Sequence, residues 1–288
     1  MNILSIQSWV AYGHVGNASA VFPLQRLGAE VWAVHTVQFS NHLGYGAWRG
    51  QVFGGAEIAA VVEGIAERGV LGRCDAVLSG YLGSADVGEA VLDAVRRVKA
   101  ANPRALYCCD PVIGDAGPGI YVRPGIAELI AERALPLADI ATPNQFELAH
   151  LSGTDCTTLA GVRRAVAALQ ARGPRTVLVT SLRTAETPAG TMELLVADGE
   201  VLHRLRTPLL PGVFVGSGDA IAALFLFHVL RSGSAAVALR AAGSSVYGLL
   251  RRTAEAGSPE LATVAAQDEF VCPSETFEPV ALAPQTAP

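Results

Sequence analysis

Short apolar segments alternate with longer amphipathic segments along most of this chain. Segments 2–7, 30–39, 75–81, 105–112, 139–144 and 175–182 have the length and apolar content of buried strands. Segments 56–68, 86–101 and 159–172 lie between them and carry apolar residues at helical spacing. This repetition predicts a doubly wound α/β fold, in which a mainly parallel central sheet has helices on both faces.

The composition supports a fold with much to bury. Hydrophobic residues make up 51% of the 288 residues and charged residues 16%, against roughly 25% charged residues in an average soluble protein. A parallel sheet covered on both faces uses that apolar surplus. The five cysteines have no CxxC spacing, so neither a disulfide framework nor a zinc site is expected.

Charge and hydropathy exclude several classes of partner. The net charge is −5 and no basic stripe is present, which argues against nucleic-acid binding. The apolar run 220–230 is interrupted by His228 and is shorter than the roughly 20 residues of a membrane span. The first residues lack the basic start of a signal peptide. We therefore expect a cytoplasmic protein with no membrane partner.

The last third of the chain departs from the alternating pattern. Asp198-Gly199 stands between two alternating apolar segments within 192–205, which predicts an antiparallel edge hairpin. Two helices are predicted at about 217–232 and 234–256. We expect one domain over residues 1–272, followed by a poorly ordered tail, 273–288, that is rich in Pro, Ala, Thr and Glu.

Polar residues follow several of the predicted strands. Ligands of open parallel sheets bind beyond the carboxyl ends of the strands, so these residues are expected to meet at one edge. They are Ser8, Tyr81, Asp110, Asp115, Asn144, Glu147 and Thr180.

Asp110 and Glu147 are the candidate ligands of a hard cation. Mg²⁺ often binds through one or two carboxylates together with substrate phosphates. Alternatively, Asp110 caps a turn before Pro111, and Asn144 or Glu147 opens a helix. Both interpretations are compatible with the residues.

The segment Gly216-Ser217-Gly218-Asp219 precedes the first of the two late helices. Glycines allow backbone N–H groups to converge, and the start of a helix favours an anion. A carboxylate beside an anion site makes sense if Asp219 accepts a proton from an attacking hydroxyl during phosphoryl transfer. Alternatively, Asp219 only complements the helix dipole.

The loop 36–48 is rich in aromatic and polar residues. Phe39, Tyr45 and Trp48 are candidates to enclose a flat ring, with Ser40, Asn41 or His42 as polar contacts. Burial of these side chains in the core is the alternative. Segment 11–20 is predicted to be a strand–helix loop or a lid.

Taken together and in order, these segments resemble the pyridoxal kinases of the ribokinase-like superfamily. The resemblance covers residues 2 to about 250 and depends on "IQS", "YGHVGN", "VQFSNHLGYGAWRGQV", "LSGYLGS", "CDPVIGD", "ADIATPNQFEL", "VLVTSL" and "GVFVGSGD". It implies an ATP-dependent kinase that phosphorylates the 5′-hydroxymethyl group of pyridoxal. It also implies MgATP, often with a monovalent cation such as K⁺, and a homodimer. Hydroxymethylpyrimidine kinase and a non-catalytic vitamer-binding protein remain alternatives.

The resemblance also implies roles for individual residues. Asp219 matches the catalytic base, and Gly216, Ser217 and Gly218 match the anion hole. Residues that match positions handling ATP and its cations are Asp110, Asp115, Tyr121, Asn144, Glu147 and Thr180. Those that match the substrate side are Ser8, Phe39, His42, Leu43 and Tyr81.

Three positions depart from the family pattern. Leu43 stands where a threonine usually binds the substrate, so affinity or vitamer preference is expected to differ. Trp9 replaces a usual histidine and is expected to add bulk near the ring. Ile120 lies where some bacterial relatives carry a cysteine able to attack the pyridoxal aldehyde, so covalent capture there is not expected.

Overall fold

A computed structural model of the chain describes residues 1–283. The central sheet contains β1 (Asn2–Val10), β2 (Glu30–Phe39), β3 (Gly50–Val52), β4 (Ala76–Ser79), β5 (Leu106–Cys109), β8 (Ile140–Ala141), β9 (Thr176–Leu182), β10 (Thr191–Asp198), β11 (Val201–Pro208) and β12 (Val280–Leu282). A separate two-stranded sheet pairs β6 (Gly114–Asp115) with β7 (Gly119–Ile120).

The strand order of the central sheet is β12-β11-β10-β9-β8-β5-β4-β1-β2-β3. The pairs from β2 through β1, β4, β5 and β8 to β9 are parallel. The chain proceeds from β1 to β2 in one direction and from β4 to β9 in the other, so the order reverses between β1 and β4. Such a switch point opens a crevice at the carboxyl ends of the strands.

Helices cover both faces of this sheet. The α-helices are α1 (Asn17–Arg26), α2 (Gly55–Ala66), α3 (Ala85–Ala101), α4 (Ile126–Leu129), α5 (Gln145–Ser152), α6 (Leu159–Gln170), α7 (Ser217–Ser232), α8 (Ala235–Glu255) and α9 (Asp268–Val271). A π-helical turn follows at Ile130–Ala134, and 3₁₀ turns lie at Leu43–Tyr45, Leu71–Arg73 and Leu135–Leu137. No helix within residues 1–283 has both the length and the apolar content needed to cross a bilayer.

Each face of the sheet has its own apolar core. Side chains of α2, α3 and α6, such as Val62, Val95 and Val166, pack on one face. Side chains of α1, α7 and α8, such as Leu24, Phe225 and Leu239, pack on the other. Fully burying an apolar side chain of this size contributes roughly 1.5–3 kcal/mol, so these two layers account for the apolar surplus of the chain. The predicted doubly wound fold is confirmed.

The edges of the sheet contain the differences from prediction. The hairpin β10–β11 is antiparallel, with Asp198 opposite Val201, as Asp198-Gly199 predicted. Within the tail predicted to be poorly ordered, Val280–Leu282 forms β12, which pairs with β11 from Leu202 to Arg204. Strand β3 is a further unpredicted antiparallel edge. Residues 284–288 of the predicted tail lie outside the described part of the chain.

Candidate active site

One cavity of about 640 Å³ runs along the carboxyl ends of the parallel strands. The residues that the resemblance assigned to catalysis, substrate or nucleotide all line it: Ser8, Phe39, His42, Leu43, Tyr81, Asp110, Asp115, Tyr121, Asn144, Glu147, Thr180, Gly216, Ser217, Gly218 and Asp219. The cavity has the size and the mixed apolar and polar lining of small-molecule sites. The expected convergence of strand ends therefore produces a single site.

The turn before α7 depends on glycine. Gly216 has a φ of +89°, and a Cβ there would lie 1.8 Å from the carbonyl oxygen of His14. Ser19 Oγ donates a hydrogen bond to the Gly216 carbonyl at 2.9 Å. The loop before α1 thus packs directly on the turn, and no larger residue fits at position 216.

Helix α7 begins immediately after this turn, at Ser217. The first N–H groups of a helix have no acceptor within the helix, and those of Gly218 and Asp219 are in this position. They lie at the wall of the cavity, where the positive end of the helix dipole favours a bound anion.

The Asp219 carboxylate lies in the same first turn. Burial raises its pKa to about 6, and a hydrogen bond from the Gly16 backbone N–H opposes this rise. A carboxylate with this pKa is ionised at neutral pH and accepts a proton more readily than an ordinary aspartate. Asp219 therefore has the properties of a general base beside an anion site.

Asp110 follows β5 and lies deep in the cavity. Its Oδ1 accepts a hydrogen bond from Thr142 Oγ1 at 2.8 Å. Burial, followed by the nearby charges of Glu147 and Asp219, raises the pKa of Asp110 well above its usual range. A cation among these carboxylates would relieve their repulsion, because it favours the ionised forms.

Glu147 has the capping role that was one of the two sequence interpretations. Its Oε2 accepts from the Asn144 N–H at 2.9 Å, and Asn144 Oδ1 accepts from the Glu147 N–H at 2.8 Å. Its Oε1 accepts from the Ile113 N–H at 2.9 Å. Burial raises the pKa of Glu147 to about 7 despite these hydrogen bonds.

The remaining predicted nucleotide-side residues surround this carboxylate pair. The backbones of Asn144 and Thr180 form an isolated parallel β-bridge. Asn144 Nδ2 donates a hydrogen bond to the Gly114 carbonyl at 2.9 Å. Asp115 and Tyr121 belong to the β6–β7 region, where the Tyr121 N–H donates to the Ile113 carbonyl. Within residues 1–283 no group of three or more His, Cys, Asp or Glu residues is arranged to hold a metal ion.

The opposite end of the cavity is aromatic and apolar. Phe39 lines it and stacks on Trp48 with ring centroids 3.9 Å apart. The backbone carbonyl of Tyr81 accepts a hydrogen bond from Thr36 Oγ1 at 2.7 Å, which fixes the backbone at this position. Leu43 also lines this end. Of the three aromatic residues predicted to enclose a ring, only Phe39 lines the cavity; Trp48 supports it from behind.

The Trp9 side chain does not lie at the substrate end of the cavity, where the family resemblance placed it. Ser8 lines the cavity, whereas the ring of Trp9 lies against His35 with centroids 4.9 Å apart. Successive side chains of a strand point to opposite faces, and the β1–β2 register shifts between Gln7 and Trp9. The expectation that Trp9 adds bulk near the ring is therefore wrong.

Sequence reasoning missed the apolar wall beyond the turn 216–219. This wall contains Met192, Leu194, Gly243, Val246 and Leu250 from β10 and α8. These residues match ordinary strand and helix patterns, so no local signal distinguishes them from core. Met192 and Leu194 reach the site because β10 pairs with β9, and Gly243, Val246 and Leu250 reach it because α8 packs on β10.

Comparisons with known proteins agree on the type of protein. The family model described as phosphomethylpyrimidine kinase matches residues 56–263. A protein named pyridoxal kinase PdxY from Granulibacter bethesdensis is 66% identical over 281 residues, with 96% of this chain and 98% of the relative covered. A pyridoxal kinase PdxY from Deinococcus radiodurans is 56% identical over 282 residues, covering 96% and 95%.

Solved structures show the same architecture. Pyridoxal kinase from Leishmania donovani in complex with ADP and pyridoxamine has a TM-score of 0.92 at 30% identity, with 98% of this chain and 99% of that chain covered. The same protein in complex with ADP and pyridoxine has a TM-score of 0.91 with equal coverage.

Proposed function

The chain belongs to the pyridoxal kinases, within the family described as phosphomethylpyrimidine kinase, and from this premise we propose that it transfers the γ-phosphoryl group of ATP to the 5′-hydroxymethyl group of pyridoxal. The observation that carries the proposal is the position of Asp219. Its carboxylate and the first turn of α7, including the Gly218 N–H, face one cavity, which has an aromatic end and an apolar end.

The reaction follows from this arrangement. The 5′-hydroxyl oxygen attacks the γ-phosphorus while Asp219 accepts its proton, so that a new O–P bond forms. The bond between the γ-phosphorus and the bridging oxygen breaks, and ADP leaves. The N–H groups of Gly218 and Asp219 donate to the transferred group as its charge spreads over the equatorial oxygens.

Asp110 and Glu147 fit a divalent cation that travels with ATP. Asp110 has one oxygen that accepts from Thr142, which leaves the other for a cation or its water. Glu147 already uses both oxygens in capping, so it suits contact through a cation-bound water. Mg²⁺ commonly binds in this way, with few protein carboxylates and several phosphate oxygens. Bound Mg²⁺ supplies charge neutralisation for the phosphates.

The two ends of the cavity suit the two organic rings. Phe39 and Tyr81 provide flat surfaces for a pyridine ring, with Ser8 as a polar contact at the end of β1. The wall formed by Met192, Leu194 and Val246 suits an adenine base. Asp219 lies on the catalytic turn between these regions.

The family model is described as phosphomethylpyrimidine kinase, and the sequence resemblance left hydroxymethylpyrimidine kinase as an alternative, so we treat hydroxymethylpyrimidine as the rival substrate. The test incubates the purified protein with MgATP and, separately, pyridoxal, pyridoxine, pyridoxamine and hydroxymethylpyrimidine. Formation of each phosphorylated product is followed by absorbance or chromatography. We expect the highest kcat/KM with a B6 vitamer.

Two results would contradict the proposal. A higher kcat/KM with hydroxymethylpyrimidine would support the rival kinase. Tight pyridoxal binding with no product under any cation condition would support a non-catalytic binding protein. A homodimer and a monovalent cation remain predictions from the resemblance, and a cytoplasmic location remains a prediction from the composition. They can be tested by mass measurement in solution, by K⁺ titration and by fractionation.

A further inference from the structure

Glu260 lies outside the cavity lining, yet it contacts both loops that border the substrate end. It follows α8 and is 8% exposed. Its Oε1 accepts a hydrogen bond from Tyr45 Oη at 2.7 Å and lies 3.1 Å from His42 Nε2. Its Oε2 accepts from the His14 N–H at 3.2 Å. One carboxylate thus joins the loop before α1 to the loop after β2.

The contact with His42 also determines the orientation of that ring. The Gly44 N–H donates to His42 Nδ1 at 3.1 Å, so Nδ1 accepts and the ring proton is on Nε2. Nε2 lies 3.1 Å from Glu260 Oε1 without the geometry of a hydrogen bond, and Tyr45, which donates to the same Oε1, lies against the His42 ring with centroids 4.7 Å apart. His42 lines the cavity, so Glu260 and Tyr45 together support a cavity-lining ring from outside the cavity.

The contact with the other loop continues to the catalytic turn. Gly13 packs on the Glu260 side chain so closely that a Cβ would lie 2.2 Å from Oε2. The next residue, His14, places its carbonyl oxygen against Gly216, and the Gly16 N–H reaches the Asp219 carboxylate. The same short segment therefore contacts Glu260 at one end and the base at the other.

Glu260 itself rests on a rigid support. Ser258 Oγ donates to the Glu260 carbonyl at 2.6 Å, and the Ala262 N–H donates to Thr253 Oγ1 in α8 at 3.0 Å. The carboxylate is thus held by a helix that packs on the sheet. Side chains held by such supports position neighbouring groups accurately.

We propose that Glu260 is a positioning residue that sets the affinity of the site for the pyridoxal ring by holding His42 and the 11–16 loop in place. This inference rests on the proposed function. The contacts of Glu260 lie at the substrate end of the cavity, whereas Asp110 and Glu147 are held by Thr142 and by backbone N–H groups. Loss of the Glu260 carboxylate should therefore affect pyridoxal binding more than ATP binding.

The test compares Glu260→Gln and Glu260→Ala with the wild type in steady-state kinetics. We expect KM for pyridoxal to rise about fivefold or more in Glu260→Ala and less in Glu260→Gln, which keeps one acceptor oxygen. KM for ATP should stay within about twofold. Tyr45→Phe should raise KM for pyridoxal in the wild-type background but add nothing to Glu260→Ala, because the two residues share one hydrogen bond.

Glu269→Gln is the matched control. Glu269 is a buried glutamate of the same region that accepts from the Ser274 N–H at 2.8 Å and does not line the cavity. We expect it to lower Tm without changing KM for pyridoxal. If Glu260→Ala fails to fold, the KM for pyridoxal is compared between the wild type, Glu260→Gln and Tyr45→Phe instead.

Two outcomes overturn the inference: an unchanged KM for pyridoxal in the folded Glu260 variants, or equal changes in the KM of both substrates. If the wild type forms no product, the proposed function fails instead. The inference is then judged by the Kd of pyridoxal from the fluorescence of Trp48, which stacks on Phe39. An equal Kd in Glu260→Gln and the wild type would overturn it.

Discussion

Turnover should fall in acid because Asp219 must be ionised to accept the substrate proton. Its pKa is raised to about 6 by burial. The base is therefore mostly ionised at neutral pH and becomes protonated as pH falls through this value. One unit below the pKa only about a tenth of the base is ionised, so kcat should drop about tenfold between pH 7 and pH 5.

Asp219→Asn tests the assignment directly, since it keeps the shape of the side chain and removes the proton acceptor. Loss of a general base typically costs about 10²–10⁴-fold in rate, so kcat should fall by that factor. ATP binding should persist, because the α7 N–H groups and Asp110 are retained.

The assay measures pyridoxal 5′-phosphate formation from pH 5 to 8 at saturating pyridoxal and MgATP. Under these conditions the charge of the cation favours the ionised forms of Asp110 and Glu147. The acid limb of kcat then reports Asp219. An Asp219→Asn variant that retains more than a tenth of wild-type kcat, or that keeps the same acid limb, would refute the reasoning.

Four further substitutions follow from the described contacts. Asp110→Asn should stabilise the ligand-free protein, because burial raises the pKa of Asp110 and makes its ionised form costly at neutral pH. The gain in unfolding free energy, measured by chemical denaturation, should shrink as pH falls toward 4 and wild-type Asp110 becomes protonated. KM for ATP should rise in the same variant. Gly216→Ala should lower kcat at least tenfold and should also lower Tm. The φ angle of Gly216 is +89°, and an added Cβ would clash with the His14 carbonyl oxygen. A variant with wild-type kcat would contradict this reasoning. Leu43→Thr should lower KM for pyridoxal by about fivefold, which corresponds to one added hydrogen bond of roughly 1 kcal/mol. Trp9→His should leave KM for pyridoxal unchanged, because Trp9 is outside the cavity lining. Equal KM changes in the two variants would contradict the assignment of Leu43, and not Trp9, to the cavity.

The parallel strands and their polar ends could be predicted because both signals are local. Asp110 and Thr180 each follow or end an apolar run, and topology brings such ends to one edge. Strands β3 and β12 were not predicted because each has only three residues. They form by pairing with an existing sheet edge rather than from their own pattern.

The sequence was less informative about how each side chain acts. Glu147 was predicted as a cation ligand or a helix-opening residue, and only the structure shows both of its oxygens bound to backbone N–H groups. Glu260 carries no local motif, and its partner Tyr45 is 215 residues away in the chain. Contacts between residues so far apart in the chain produce no pattern within a short window of the sequence.

The same separation has a consequence for protein synthesis. The first parallel strands can pair while the chain is still emerging, since domains begin to fold during synthesis. The Glu260 carboxylate, however, meets His14 across 246 residues. The pocket for the ring therefore becomes complete only when translation is nearly finished. A chain truncated before residue 260 would contain the parallel strands but would lack the carboxylate that joins the two substrate loops.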